Sequence, residues 1–121
     1  MSTLTVTLKL VSSNSTTDPL NFGETDTLTV TAPISALSRD NITTVAAKNI
    51  LTAAANTVKT YVYMKNLDAT NFVEAKDDAG NVLIELGPGE FAFFPVQGSI
   101  GLEVQADTAT CEVEYGFWTK G

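Results

Sequence analysis

Asp77-Asp78-Ala79-Gly80-Asn81 gathers the oxygen-bearing side chains that a hard cation would need. The spacing does not make a calcium loop, because the twelfth position counted from Asp77 is Pro88, where a bidentate glutamate is required. The same residues suit a chain reversal, since Asp and Asn hydrogen-bond their own backbone and Gly tolerates positive φ. Glu85, Glu90, Glu103, Glu112 and Glu114 form a second set. A carboxylate pair about 5 Å or about 6.5–9.5 Å apart could hydrolyse a glycosidic bond. Spacing along the chain fixes no such distance, and four of these residues alternate with apolar ones, as the wet face of a strand does. Cys111 is the only thiol, and with no histidine in the chain it has no imidazole to draw off its proton. Its alternation with Val113, Tyr115 and Phe117 is that of a buried structural cysteine. These residues predict no enzymatic activity, no catalytic residue, no metal site and no cofactor.

Binding chemistry is the remaining option. Tyr61, Tyr63, Phe94 and Trp118 are aromatics that could stand on an outer strand face, where rings stack on sugars or anchor a protein partner. The competing reading is a second packing face covered by loops or a neighbouring subunit. Leu4, Val6 and Leu8 line one side of an N-terminal alternating segment that could pair with a neighbouring chain or form an ordinary edge strand. With Phe117, these eight residues are the expected partner contacts.

Composition narrows the classes further. Fourteen acidic residues against seven basic ones give a formal charge of −7, and the basic residues are scattered. Nucleic-acid binding is therefore not expected, since it needs a basic stripe to release counterions. No window approaches the roughly 18 apolar residues of a membrane span, and the N-terminus lacks the basic and apolar regions of a secretion signal. Sequons at Asn14 and Asn41 carry little weight without such a signal. One cysteine allows no intrachain disulfide.

The elements that must position these residues read as strands in a single domain spanning residues 1–121. Leu4, Val6, Leu8 and Leu10 alternate with Thr3, Thr5, Thr7 and Lys9. Ser12 to Pro19 is a polar loop, Gly23 to Asp26 a turn, and Leu28, Val30 and Ala32 a short strand that Pro33 ends. Residues 34–56 mix alanines with β-branched residues. They predict a helical turn near Ser35 to Ser38, one or two strands within Ile42 to Leu51 and a loop at Ala54 to Asn56, or else one helix from Asp40 to Ala55. Thr57 to Pro95 carries the clearest signals: strands at Val58 to Met64, Phe72 to Lys76, Val82 to Leu86 and from Glu90 onward, with reversals at Asp77–Asn81 and Gly87-Pro88-Gly89. Gly98-Ser99 and Asp107-Thr108 then punctuate the strands at Ile100 to Val104 and Cys111 to Phe117. About eight short strands at this spacing predict an all-β antiparallel β-sandwich, jelly-roll-like in arrangement.

The run from Pro88-Gly89-Glu90 to Phe93-Phe94-Pro95 resembles the turn-and-strand phrasing of cupin jelly rolls, though the histidines of a cupin metal site are missing. A broader likeness covers residues 57–119. It consists of an aromatic strand ending in Lys65-Asn66, the Asp68-Ala69-Thr70-Asn71 turn, a strand with Val73-Glu74, the Gly89-Glu90-Phe91 strand running to Pro95, and a closing strand rich in aromatics. In these features the chain resembles small virion structural proteins of tailed bacteriophages. The resemblance implies a structural role, a capsid decoration (cement) protein or a tail or fibre component, and it transfers no functional residue. It implies location in the virion after assembly in the host cytoplasm. The implied partners are the major capsid protein or another virion protein, and further copies of the chain in a homo-oligomer or multi-copy lattice. A carbohydrate-binding module built on Trp118, Tyr61 or Tyr63 is the reading from a different class.

Overall fold

The computed structural model describes residues 2–15, 17–52 and 57–121, and every regular element among them is a strand. They are β1 (Ser2–Ser12), β2 (Leu20–Ile34), β3 (Ser38–Ile42), β4 (Lys48–Leu51), β5 (Thr60–Asn66), β6 (Val73–Asp77), β7 (Val82–Leu86), β8 (Phe91–Val96), β9 (Leu102–Ala106) and β10 (Cys111–Lys120). The chain divides into two compact units, an arm up to Thr31 that also takes Gly121, and a body from Ala32 to Lys120.

The arm is a two-stranded antiparallel ribbon in unbroken register from Ser2 opposite Val30 to Ser12 opposite Leu20. The turn predicted at Gly23 to Asp26 is not there. Gly23, Glu24, Thr25 and Asp26 lie opposite Lys9, Leu8, Thr7 and Val6 inside β2. Turn propensity is a local preference, and eleven consecutive pairings with β1 override it; the reversal falls instead in the polar stretch after Ser12. Pro33 does not end β2, which runs on to Ile34.

In the body, the helical turn expected near Ser35 is absent: residues 35–37 have no regular structure and Ser38 opens β3. The single-helix reading also fails for the described residues, which form β3 and β4. Their β-branched residues decide against helix: pairing with β10 delivers Ile42 to the core, and along β9 a register shift between Asn49 and Leu51 buries the adjacent Ile50 and Leu51 together. The loop predicted at Ala54 to Asn56 lies outside the described residues.

The body is an antiparallel β-sandwich. One sheet runs β10, β5, β8, with β3 on the other edge of β10, and the second runs β4, β9, β6, β7. Four of the pairings are nested: β6 with β7, β5 with β8, β4 with β9 and β3 with β10. Two more, β5 with β10 and β6 with β9, complete the two sheets. Beyond β3 the edge of β10 is satisfied by Ser35, whose backbone N–H donates to the Phe117 carbonyl at 2.9 Å, and by the Pro33 carbonyl, which accepts the Thr119 hydroxyl at 2.8 Å.

The core is what the inner faces share. Val62 and Met64 of β5, Val73 and Ala75 of β6, Leu102 and Val104 of β9, and Cys111 and Val113 of β10 are all 0–1 % exposed. Removing a side chain the size of Met64 or Leu102 from such a site costs about 2–5 kcal/mol. The buried polar residue Asn66 ties two reversals together, the β5–β6 loop and the β7–β8 turn. Its amide donates to the carbonyls of Asn71, Leu86 and Gly87 at 2.8, 3.1 and 3.2 Å, and its oxygen accepts the Asp68 N–H at 3.0 Å.

Candidate functional site

Strand register sorts the predicted contact residues into two groups. On β5, Val62 and Met64 point inward, so Tyr61, Tyr63 and Lys65 point outward. Register then carries the sorting to the neighbouring strands. Tyr61 lies opposite Trp118 on one side and Pro95 on the other, while Tyr63 lies opposite Gly116 and Phe93. Val62 lies opposite Phe117 and Phe94, which therefore belong to the inner face and pack against the core. Phe94 is corrected from an outer-face candidate to a core residue, and Phe117 from a partner contact to one as well. Tyr61, Tyr63 and Trp118 remain together on the outside.

The outer face also gathers residues that the sequence reading missed. Phe93 lies alongside Tyr61, with ring centroids 6.2 Å apart and planes within 14°. Phe91, opposite Lys65, is 63 % exposed. Leu37, 57 % exposed, and the Trp118 ring both reach over Gly116: a Cβ added there would meet Leu37 Cδ2 and Trp118 Cη2 at 3.1 Å. The missing side chain at position 116 thus makes room for the indole. The signal for Phe91 and Phe93 was present in Phe91-Ala92-Phe93-Phe94-Pro95-Val96, where Ala92, Phe94 and Val96 share one parity and the other three the opposite one. Pro95 settles which strand this is, because a residue without an N–H suits an edge, and β8 is the end strand of its sheet.

Four polar side chains on this face engage one another. Tyr63 donates its hydroxyl to Glu114 at 3.1 Å, and Arg39 Nε reaches the same carboxylate at 3.1 Å while Nη1 lies 3.9 Å from Glu112. Arg39, more than the tyrosine, holds the Glu114 carboxyl below its ordinary value. Burial, more than the carboxylate, pushes the Tyr63 phenol up. An ion pair this exposed adds little stability; its effect is to order side chains between the aromatic rows.

The remaining candidates have structural roles. Asp77 accepts the backbone N–H of Ala79 and Asn81 at 3.0 and 2.8 Å and the Asn81 side-chain amide at 2.9 Å, so its oxygens are spent inside the turn. These bonds, the Asn81 amide foremost, lower its pKa. Glu90 turns back to accept the N–H of Gly87. Cys111 is buried, 3.4 Å from the Ala109 carbonyl, and burial raises its thiol pKa. An apolar recess of about 220 Å³ is lined by Pro33, Ile50, Leu51, Thr60, Phe117 and Thr119, smaller than the roughly 300–1,000 Å³ of ordinary small-molecule sites.

The arm presents the other predicted residues. Leu4, Val6, Leu8 and Leu10 share one face with Leu28, Asp26, Glu24 and Phe22, their respective partners, while threonines fill the middle of the opposite face. Leu4 and Val6 are half-buried; Leu8, Leu10 and Phe22 are 45, 46 and 45 % exposed. Comparison with protein-family models, curated proteins and solved structures gives no match for this chain.

Proposed function

We propose that this protein is a non-enzymatic structural component of a tailed-phage particle, a capsid decoration protein that binds the outer face of the shell in many copies. The observation that carries the reading is the arm. Its two strands expose a row of leucines and a phenylalanine, and a two-stranded ribbon with no second layer of its own is marginally stable in water. A ribbon of this kind gains most by covering its apolar side on another surface, as lattice proteins do. The strand, turn and aromatic phrases of residues 57–119, similar to those of phage virion proteins, support the same reading.

The sandwich is, we infer, a jelly roll. Its nested pairs describe one long hairpin folded in half, and the two additional pairings, β5 with β10 and β6 with β9, wrap that hairpin into two facing sheets, the double Greek-key pattern of eight strands. Jelly rolls serve widely as capsid domains, so the arrangement agrees with the role without specifying it.

Quantitative composition of purified particles tests the proposal. A decoration protein is present at a fixed, high ratio to the major capsid protein; absence from intact particles overturns the structural reading, and a few copies per particle reassigns the protein to the tail or fibres. A second reading, carbohydrate binding, is favoured by Tyr61, Tyr63 and Trp118 standing on one face. A glycan array without a hit, or a Trp118→Ala variant with unchanged glycan affinity, removes it.

A further inference from the structure

We propose that the outer face of the sheet β10–β5–β8 is the docking surface for the β1–β2 arm of a second copy of this chain. The inference does not depend on the virion reading; it rests on apolar fit, charge and area.

Both surfaces expose apolar side chains, the arm chiefly beyond Val6, since Val30 at its base is buried. The arm offers Leu8, Leu10 and Phe22, each close to half exposed, and the sheet offers Phe91, Leu37 and the Tyr61–Phe93 pair. Exposed apolar patches that are contiguous and rimmed by polar groups mark interaction sites.

Charge sets the partner. On its apolar face the arm carries Glu24 and Asp26, opposite Leu8 and Val6, and no basic residue; Lys9 belongs to the threonine face. The receiving face collects four of the chain's seven basic residues. Arg39 and Lys65 flank Glu114, and Lys59 and Lys120 continue the outward alternation beyond Tyr61 and Trp118. Against them stand Glu112 and Glu114. A chain with a net charge of −7 repels its own copies, and this face is where an acidic segment meets cations instead.

Area favours exchange over simple contact between arms. From Leu4 opposite Leu28 to Ser12 opposite Leu20, beyond the buried Val30, the ribbon is about 30 Å long and about 10 Å wide and hides about 300 Å² on each side of one contact. Arm against arm gives one such contact, about 600 Å² in all, the size of an incidental packing contact. Two copies that each lay an arm on the other's sheet make two contacts, about 1,200 Å², the lower end of specific interfaces.

The test is sedimentation of the full chain across a concentration series, with two variants that leave the sandwich core untouched. One changes the arm (Leu8→Ser with Phe22→Ser) and one changes the face (Phe91→Ser with Lys65→Glu); circular dichroism confirms that each retains the parent's strand signal. The parent should associate, and each variant should do so at least ten-fold more weakly. Mixed together, the variants should associate more strongly than either alone, because the intact arm of one meets the intact face of the other. The proposal is overturned if the parent stays a single copy up to about 0.1 mM, where a standard interface is populated. It is also overturned if the arm variant dissociates while the face variant behaves as the parent, or if the face variant of a single-copy protein loses a sugar ligand instead. Particle composition, measured separately, bears on the virion role and not on this contact.

Discussion

Tyr63 and Glu114 meet diagonally across β5 and β10, hydroxyl to carboxylate at 3.1 Å, with Arg39 on the far side of the same carboxylate. The bond locks one aromatic of the outer face in place and exposes its geometry to pH. Glu114 titrates below its ordinary range because of Arg39 first and Tyr63 second; Asp40, bonded to Lys48, and Asp68 and Asp77, each bonded within a turn, are lowered too. Carboxylates with depressed folded-state pKa values contribute stability that is present above their unfolded values, about 3.9–4.3, and lost as pH falls through the folded values. Tyr63 and Lys48 are raised, so their contributions are present below about pH 10 and lost as pH rises through their folded values. Denaturant midpoints should therefore be level from about pH 5 to 8 and drop on both sides, the Cys111 thiol, raised by burial, being the first group to act as pH rises. In Glu114→Gln the acid-side drop should be shallower than in the parent.

Asn66 is fully buried and makes four side-chain hydrogen bonds to backbone groups, two in the β5–β6 loop and two where β7 passes into the β7–β8 turn. Replacing it with Ala leaves a backbone N–H and several carbonyls without this partner, and the expected loss is about 2–4 kcal/mol in a urea titration. Asn66→Asp should be worse, since it turns a donor toward three carbonyls into an acceptor.

Gly116→Ala asks whether the glycine exists to seat the indole. The new Cβ would meet Trp118 and Leu37 at 3.1 Å, and both are side chains able to give way. Folding should survive, with a cost of about 1 kcal/mol and a changed emission maximum from Trp118, the chain's single tryptophan. Gly98→Ala is the contrasting case. Its Cβ would lie 2.8 Å from the Thr57 carbonyl oxygen, which is backbone, so a larger loss is expected with the emission maximum unmoved.

Cys111 should be silent toward a thiol reagent in the folded protein and react fully in denaturant. It is 0 % exposed, and burial holds the thiol protonated. Rapid modification under native conditions would mean that β10 opens locally.

Period-two alternation made the sandwich legible, because a strand with one dry face writes that face into its sequence, as Val62 and Met64 do against Tyr61 and Tyr63. It failed where the decisive information was non-local. The residues Gly23 to Asp26 look like a turn in isolation and become strand only because β1 lies alongside. Phe94 and Phe93 are adjacent and chemically identical, and only register with Val62 and Tyr63 says which is inside. Arg39 could not be placed near Tyr63 from sequence, since Glu114, 75 residues away from it, is what joins them.

The nested pairing also gives its strand pairs very unequal separations along the chain. The innermost pair, β6 with β7, closes across a turn of a few residues, whereas Ile42 and Cys111 in the outermost pair are 69 residues apart. Loop-closure entropy rises with that separation, and folds dominated by such distant contacts assemble in milliseconds to seconds rather than microseconds. The hairpin around Asp77–Asn81 should therefore be structured early and β10 late, an order that φ-values at Ile84 and Val113 check. Until β10 is in place, the edges of β5 and β3 that it covers are open to strands of other molecules.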